Sequence, residues 1–369
     1  MKVNTISLNS VRLNTIALNH IGEIRSGGGG SKPSPIHQWI REHVVFYYDV
    51  KKQGATNETL KESAYLQDLS GKGRRMKLNN FLFAEMSGVG GYNDNFSNWK
   101  TDSNNGVVKI ESDSSIVMQS VKIEYRGILY QDSSKNATLK CNITGITEEL
   151  KGKLIFKYTD AEGGKNITLE NGYFEFNSSE YEGLSGWYGF TSKQPIDNCN
   201  ITITQIPEYP GALVTDGVDD YGLVENLSSG VKMLFMTVNP IGDFNISKMF
   251  YSQRKDPIVI NPFYIFTGGS SIAYSGNRDG VTYINGVLNK SIKYNELFGV
   301  KHIITTVNAN VKPETSKAPS FFWEEGNTKN YCSKLAFYNS IAFNSIPTEA
   351  DGFTEQELID YVLTNIIGQ

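Results

Sequence analysis

The chain is poor in cysteine and histidine and carries no long apolar run, and each shortage removes a class of function. Its 3 cysteines, Cys141, Cys199 and Cys332, are too few for a disulfide framework and lack metal-ligand spacing, so all are read as reduced. The 4 histidines, His20, His37, His43 and His302, are scattered with no Ser or Cys motif beside them. Ser-His-Asp and Cys-His catalysis are therefore unsupported. Paired acids are as scarce: Glu111 with Asp113 is one candidate pair, while Glu324 and Glu325 are adjacent and point to opposite faces of an extended chain. No enzyme is expected. No stretch approaches the roughly 18 apolar residues of a spanning helix, and no basic segment leads into an apolar one at the start. The chain is expected to be made soluble, with no signal peptide and no membrane partner. Basic charge is also missing: net charge is -4 and the pI about 5.7, which argues against nucleic acid. Sequons such as Asn142-Ile-Thr and Asn200-Ile-Thr arise by chance in so Asn- and Thr-rich a chain.

What the chain has is aromatic residues, 12% of the total with 20 Tyr and 19 Phe, a share that suits strands better than helices. Its 369 residues suit two or three modest domains. Residues 1–25 hold three five-residue units, Thr5 to Asn9, Ser10 to Asn14 and Thr15 to Asn19, each a hydroxyl residue, a β-branched residue, a variable one, Leu and Asn. In each unit the apolar pair, Ile6 with Leu8, Val11 with Leu13, Ile16 with Leu18, sits two apart and shares one strand face. So short an arm cannot bury that face alone. It calls for sister chains, a trimer being favoured, or for a larger assembly to plug into; the plain alternative is an edge strand or a disordered arm. Residues 26–43 follow as a joint, flexible through Gly27 to Gly30 and stiffer from Lys32 to Pro35.

A short helical turn is expected at Ile36 to Glu42 and a buried strand at Val44 to Asp49. Gly54 to Thr59 and Asp68 to Gly73 read as loops, and Met76 to Phe81 as a strand. Between 107 and 206 lies a run of alternating segments: Val107 to Ile110, Val121 to Tyr125, Ala137 to Ile143, Lys153 to Tyr158, Tyr173 to Phe176, Gly186 to Phe190 and Cys199 to Ile206. Turns such as Glu162 to Lys165 separate them, as in an inserted β-sandwich. From Pro207 to Gly211 a rigid connector returns the chain to the outer domain, 44–106 with 207–369. Further strands are expected at Val231 to Val238, Phe263 to Phe266, Ser271 to Ser275, Val300 to Val307 and Ala336 to Phe343. Thr282 to Leu288 reads as a hairpin turning on Asn285-Gly286. Thr354 to Glu357 is a capping box opening a helix from Glu355 to Ile367.

Two kinds of site suggest themselves. Asp216, Asp219 and Asp220 crowd one corner between Leu213 and Leu227, with Asn277 and Asp279 in another loop. Such oxygen clustering would satisfy calcium, whereas the plainer reading has these aspartates accepting hydrogen bonds from their own turns. Glycan binding needs an exposed aromatic plate beside amides and carboxylates. Trp187 and Tyr188 in the insert, and Trp323 with Glu324, Asn327 and Asn330 in the outer domain, offer one each, although alternating strands also bury aromatics in cores.

A tyrosine-rich first strand, the loop Asp68-Leu-Ser-Gly71, a strand ending Asn79-Asn80-Phe81, the corner Thr215-Asp-Gly-Val-Asp-Asp-Tyr221 and the hairpin Tyr283-Ile-Asn-Gly-Val-Leu288 together resemble laminin G-like, concanavalin A-like proteins. The resemblance implies an all-β jelly-roll sandwich over 44–106 and 207–369, interrupted by a second β-sandwich, with a β-repeat arm in front and a short C-terminal helix behind. With arm and joint included, the arrangement resembles virion structural proteins of Bacteroides-infecting tailed phages, the crAss-like phages among them. That resemblance implies a fibre or decoration protein on the virion, docked on other virion proteins by its arm and facing bacterial surface polysaccharide. A purely structural head or tail component is the alternative, and a surface-glycan hydrolase a more distant one.

Overall fold

The computed structural model describes residues 34–135, 138–227, 230–241, 248–254, 264–268, 271–275, 280–289, 294–309, 311, 316–322 and 332–368. The repeat residues Ile6, Leu8, Val11, Leu13, Ile16 and Leu18 lie outside them, as do Asn277, Asp279, Trp323, Glu324, Asn327 and Asn330. The fold is all-β, built of antiparallel sheets with a short C-terminal helix. It divides into two compact units. One holds the described residues up to Phe83, Ser87–Val89 and those from Gly211 onward; the other holds Ala84–Met86 and Gly90–Pro210.

The first unit contains an eight-stranded and a seven-stranded sheet. Strands Val44–Asp49 and Met233–Pro240 both pair with Leu335–Phe343 and are buried along their whole length. The register explains why these runs are apolar throughout rather than alternating. Phe46, Ala342 and Leu234 align across the three strands, and so do Tyr47, Ile341 and Phe235 one residue on. Adjacent residues of a strand face opposite ways. Phe46 and Leu234 join Met76, Leu78, Val224 and Tyr251 of the other sheet in one core. Tyr47, Phe235 and Ile341 instead pack beneath two helices in a second core.

Those helices are Pro35–His43, capped by Ser34 and burying Trp39 and Ile40, and Glu355–Val362, which buries Leu358, Ile359 and Val362. Thr354 and Glu357 cap the latter reciprocally, and Leu363–Ile367 continue it with π-helical winding. One helix lies where a loop was expected, at Asn57–Ser63. Its start is a reciprocal cap between Thr56 and Thr59, and Ala64 ends it in the left-handed region at φ 56°. Threonine in both capping positions looks like loop composition in one dimension. The hairpin of Val281–Ile284 and Val287–Asn289 turns as expected, with Asn285 and Gly286 both at positive φ.

The second unit is two five-stranded sheets face to face. One runs, in spatial order, Gly163–Thr168, Leu154–Asp160, Trp187–Ser192, Leu129–Asp132 and Lys100–Thr101. The other runs Gly172–Asn177, Thr138–Thr144, Ile201–Gln205, Ser115–Val121 and Gly106–Ser112. Phe156 centres the core between them, its ring 5.2 Å from Phe174, 4.6 Å from Phe176 and 5.1 Å from Phe190. Two expectations are corrected here. The strand placed at Val121 to Tyr125 is Ser115–Val121, because Ile116, Met118 and Val121 reach the core while Ile123 and Tyr125 are exposed. The insert also starts ahead of residue 107, since Phe96 and Trp99 belong to its core. Leu129–Asp132 and Gly163–Thr168 are strands with no counterpart in the sequence reading. The second is an edge strand that alternates exposure without burying a large side chain.

Candidate functional site

The outward face of the first of these two sheets brings together aromatic and cationic side chains from several strands. Antiparallel partners share a face, so the register traces a row across all five strands: Lys100, Tyr130, Gly189, Lys157 and Asn166. Trp187 stands beside it on the same strand as Gly189, opposite Asp132. The rings of Tyr130 and Trp187 lie 5.7 Å apart. Gly189 makes this possible, because a Cβ there would meet Tyr130 Cα at 2.6 Å. Gly127 does likewise, with Trp187 Cζ3 at 3.1 Å from the position of a Cβ.

The segment between Val121 and Ile128 runs along this face. Tyr125 N–H donates to Ser192 O at 2.8 Å, Thr191 Oγ1 donates to Arg126 O at 2.6 Å, and Ile128 N–H donates to Phe190 O at 3.1 Å. These bonds hold Tyr125, itself in the left-handed region at φ 53° and 39% exposed, beside the row. Lys157 Nζ donates to Tyr125 O at 3.2 Å and stands 5.7 Å from the Tyr125 ring centre and 5.6 Å from that of Trp187. The result is a partly exposed cluster in which the Lys157 ammonium lies by the rings of Tyr125 and Trp187, Tyr130 packs against Trp187, and Asn166, Asp132 and Lys100 flank them. Aromatic faces stack on the apolar faces of sugar rings, and the amide, carboxylate and ammonium can pair with hydroxyls.

Of the two residues expected to form a plate here, the structure keeps Trp187 and removes Tyr188. Tyr188 is fully buried, in ring contact with Phe156, Phe176 and Trp99, and its hydroxyl donates to Lys135 O at 2.9 Å. Adjacent strand residues cannot share a face, so only one of the pair could be exposed. Tyr125, Tyr130 and Lys157 escaped the sequence reading. The alternation of Ile155, Lys157 and Thr159 was its single one-dimensional signal, and that does not say which ring the lysine meets.

The acidic corner is also assembled. Ligand oxygens of Asp216, Asp219 and Asp220 all lie within 4.8 Å of one another. Three of their six oxygens, Asp216 Oδ1 and both of Asp220, already accept from neighbours. Asp216 Oδ1 accepts from Val218 N–H at 2.7 Å and Asp219 N–H at 3.4 Å. The fully buried Asp220 accepts from Ser87 Oγ–H at 3.1 Å on Oδ1 and from Asp216 N–H at 2.8 Å on Oδ2. Burial pushes its carboxyl up to about 7. The geometry thus ties the corner to the segment around Ser87, and a cation held there would compete with both donors to Asp220.

Comparison of the chain with family models, with curated proteins and with solved structures finds no match.

Proposed function

We propose that this chain is a glycan-binding display protein whose second unit recognises sugar on the face carrying Trp187, Tyr130, Tyr125 and Lys157. The observation that carries the reading is the partly exposed cluster of Tyr125, Trp187 and Tyr130 on the outward face, with the Lys157 ammonium between the first two rings and two glycines leaving room for the side chains. Core packing does not account for it, because the core of the same unit is filled from the opposite faces of both sheets.

In its wider form the proposal is a virion fibre or decoration protein, its laminin G-like outer unit and inserted sandwich directed toward bacterial surface polysaccharide. Residues 1–25 would dock on other virion proteins or join three copies. The five-residue repeat and the Gly/Pro joint support this reading, because an anchor and a hinge suit a displayed module. Tethered copies would turn individually weak glycan contacts into avidity. No catalytic role is proposed for any residue.

A glycan array probed with the full chain and with Trp187→Ala tests the binding reading. The expected result is a set of glycans bound by the parent and lost by the variant. Identical profiles, or no bound glycan, would end it. Light scattering of the chain with and without residues 1–31 tests the arm, with threefold mass expected only when the arm is present.

A further inference from the structure

We infer that the glycan is an acidic polysaccharide, and that Lys157 is the residue that selects its carboxylates; this rests on the glycan-binding reading of the Trp187 face. The argument is from charge pairing within the second unit. Four of its lysines meet glutamates at N···O distances of 2.5 to 2.8 Å: Lys109 with Glu111, Lys140 with Glu208, Lys151 with Glu148, and Lys165 with Glu162. Lys157 belongs with the lysines of this unit that are bonded to neutral oxygens, as Lys122 is to Ser103 O and Lys193 to Thr168 Oγ1, and it is set apart from them by its place over two aromatic rings. Among the described residues it has no carboxylate in ion-pair contact; its ammonium is held by one carbonyl, Tyr125 O, and by the faces of two rings. An ammonium carries three donors, so this one is positioned by neutral groups and keeps donors for an incoming anion.

Asp132, opposite Trp187 on the row side, does not neutralise it. Its carboxylate accepts from Ser134 N–H at 2.9 Å, and it is held below its ordinary value first by that bond and then by the charges of Lys100 and Lys135. Lys157 and Lys100 therefore stand in one cross-strand row with Tyr130 and Gly189 between them and Asn166 beyond. Five strands at about 4.8 Å spacing make that row about 19 Å long. A chain lying across the strands would place several sugar rings along it, stacking on Tyr130 and Trp187 and setting a uronate at Lys157.

Affinity electrophoresis of the full chain tests this in gels containing polygalacturonate or hyaluronan, the carboxyl-reduced form of each, or a neutral glucan. Retardation by an acidic polymer is expected, weakened about tenfold by carboxyl reduction and by a similar factor in Lys157→Gln, with Lys157→Arg retaining it. Equal retardation by acidic and reduced polymers, or retardation by the neutral glucan alone, would overturn the inference and leave the glycan reading standing. A carboxylate requirement that survives Lys157→Gln would overturn the role of Lys157. No retardation by any polymer would overturn both. Thermal unfolding of Lys157→Gln alongside separates lost binding from lost structure.

Discussion

Ser87 Oγ donates to Asp220 Oδ1 at 3.1 Å across 133 residues of sequence, and the same hydroxyl accepts from Leu82 N–H at 2.9 Å. The bond joins the short Ser87–Val89 segment of the first unit to the acidic corner, where Asp220 is fully buried. It makes the corner a packing joint as well as a turn, and it has a measurable pH signature.

Burial lifts the folded carboxyl of Asp220 from its ordinary 3.8 to about 7. Over that interval the folded chain holds a proton that the unfolded chain has lost. The contribution of this group to stability is therefore full below about pH 3.8 and is lost as pH rises through about 7. Asp220→Asn keeps an acceptor for Asp216 N–H and presents its amide N–H to Ser87 Oγ. It should raise the melting temperature above pH 7 and flatten the fall between pH 4.5 and 8. Thermal scans across that range check it; parallel parent and variant curves would contradict the assignment.

Trp187 and Tyr188 are adjacent, yet their replacement should read out in different assays. Tyr188→Ala empties a core position against Phe156 and Phe176 and should cost about 3–5 kcal/mol in urea unfolding. Trp187→Ala should change stability by about 1 kcal/mol or less while abolishing sugar binding.

Gly189 and Gly164 lie on the same sheet but differ in what a methyl group would meet. At Gly189 it would sit 2.6 Å from Tyr130 Cα, and at Gly164 nothing lies within 4 Å. Gly189→Ala should destabilise the second unit by about 1–3 kcal/mol and weaken glycan binding through displacement of Tyr130. Gly164→Ala serves as the neutral comparison in both measurements.

Lys52 Nζ donates to Ile366 O at 2.6 Å and to Tyr47 Oη at 3.0 Å, and Asn339 Nδ2 donates to Ile367 O at 3.3 Å. These bonds satisfy carbonyls at the end of the C-terminal helix, which a helix leaves unpaired. Lys52→Met should cost about 1.5–3 kcal/mol and speed amide exchange over 358–367. Unchanged exchange there would show that apolar packing alone holds the helix.

Much of the first unit can be read in one dimension because its signals are local. Val44–Asp49 and Met233–Pro240 are unbroken apolar runs, Thr354 with Glu357 is a capping box, and Asn285-Gly286 is a turn that left-handed residues favour. Each depends on neighbours within a few positions. The helix at Asn57–Ser63 was hidden because its caps are threonines inside a polar stretch. The Ser115–Val121 strand was displaced because Val121, Ile123 and Tyr125 also alternate, and only core contact separates the two phases.

Sequence alone thus carries the all-β class, the helix at the end of the chain and the suspicion that Trp187 and the three aspartates matter. Folding settles which of two adjacent aromatics faces out, commits Asp220 to Ser87, and sets Lys157 between Tyr125 and Trp187. The reason is register. Residues 32 and 30 positions from Lys157 become its neighbours through strand pairing, and pairing is chosen by the fit of the whole core rather than by any short stretch of chain.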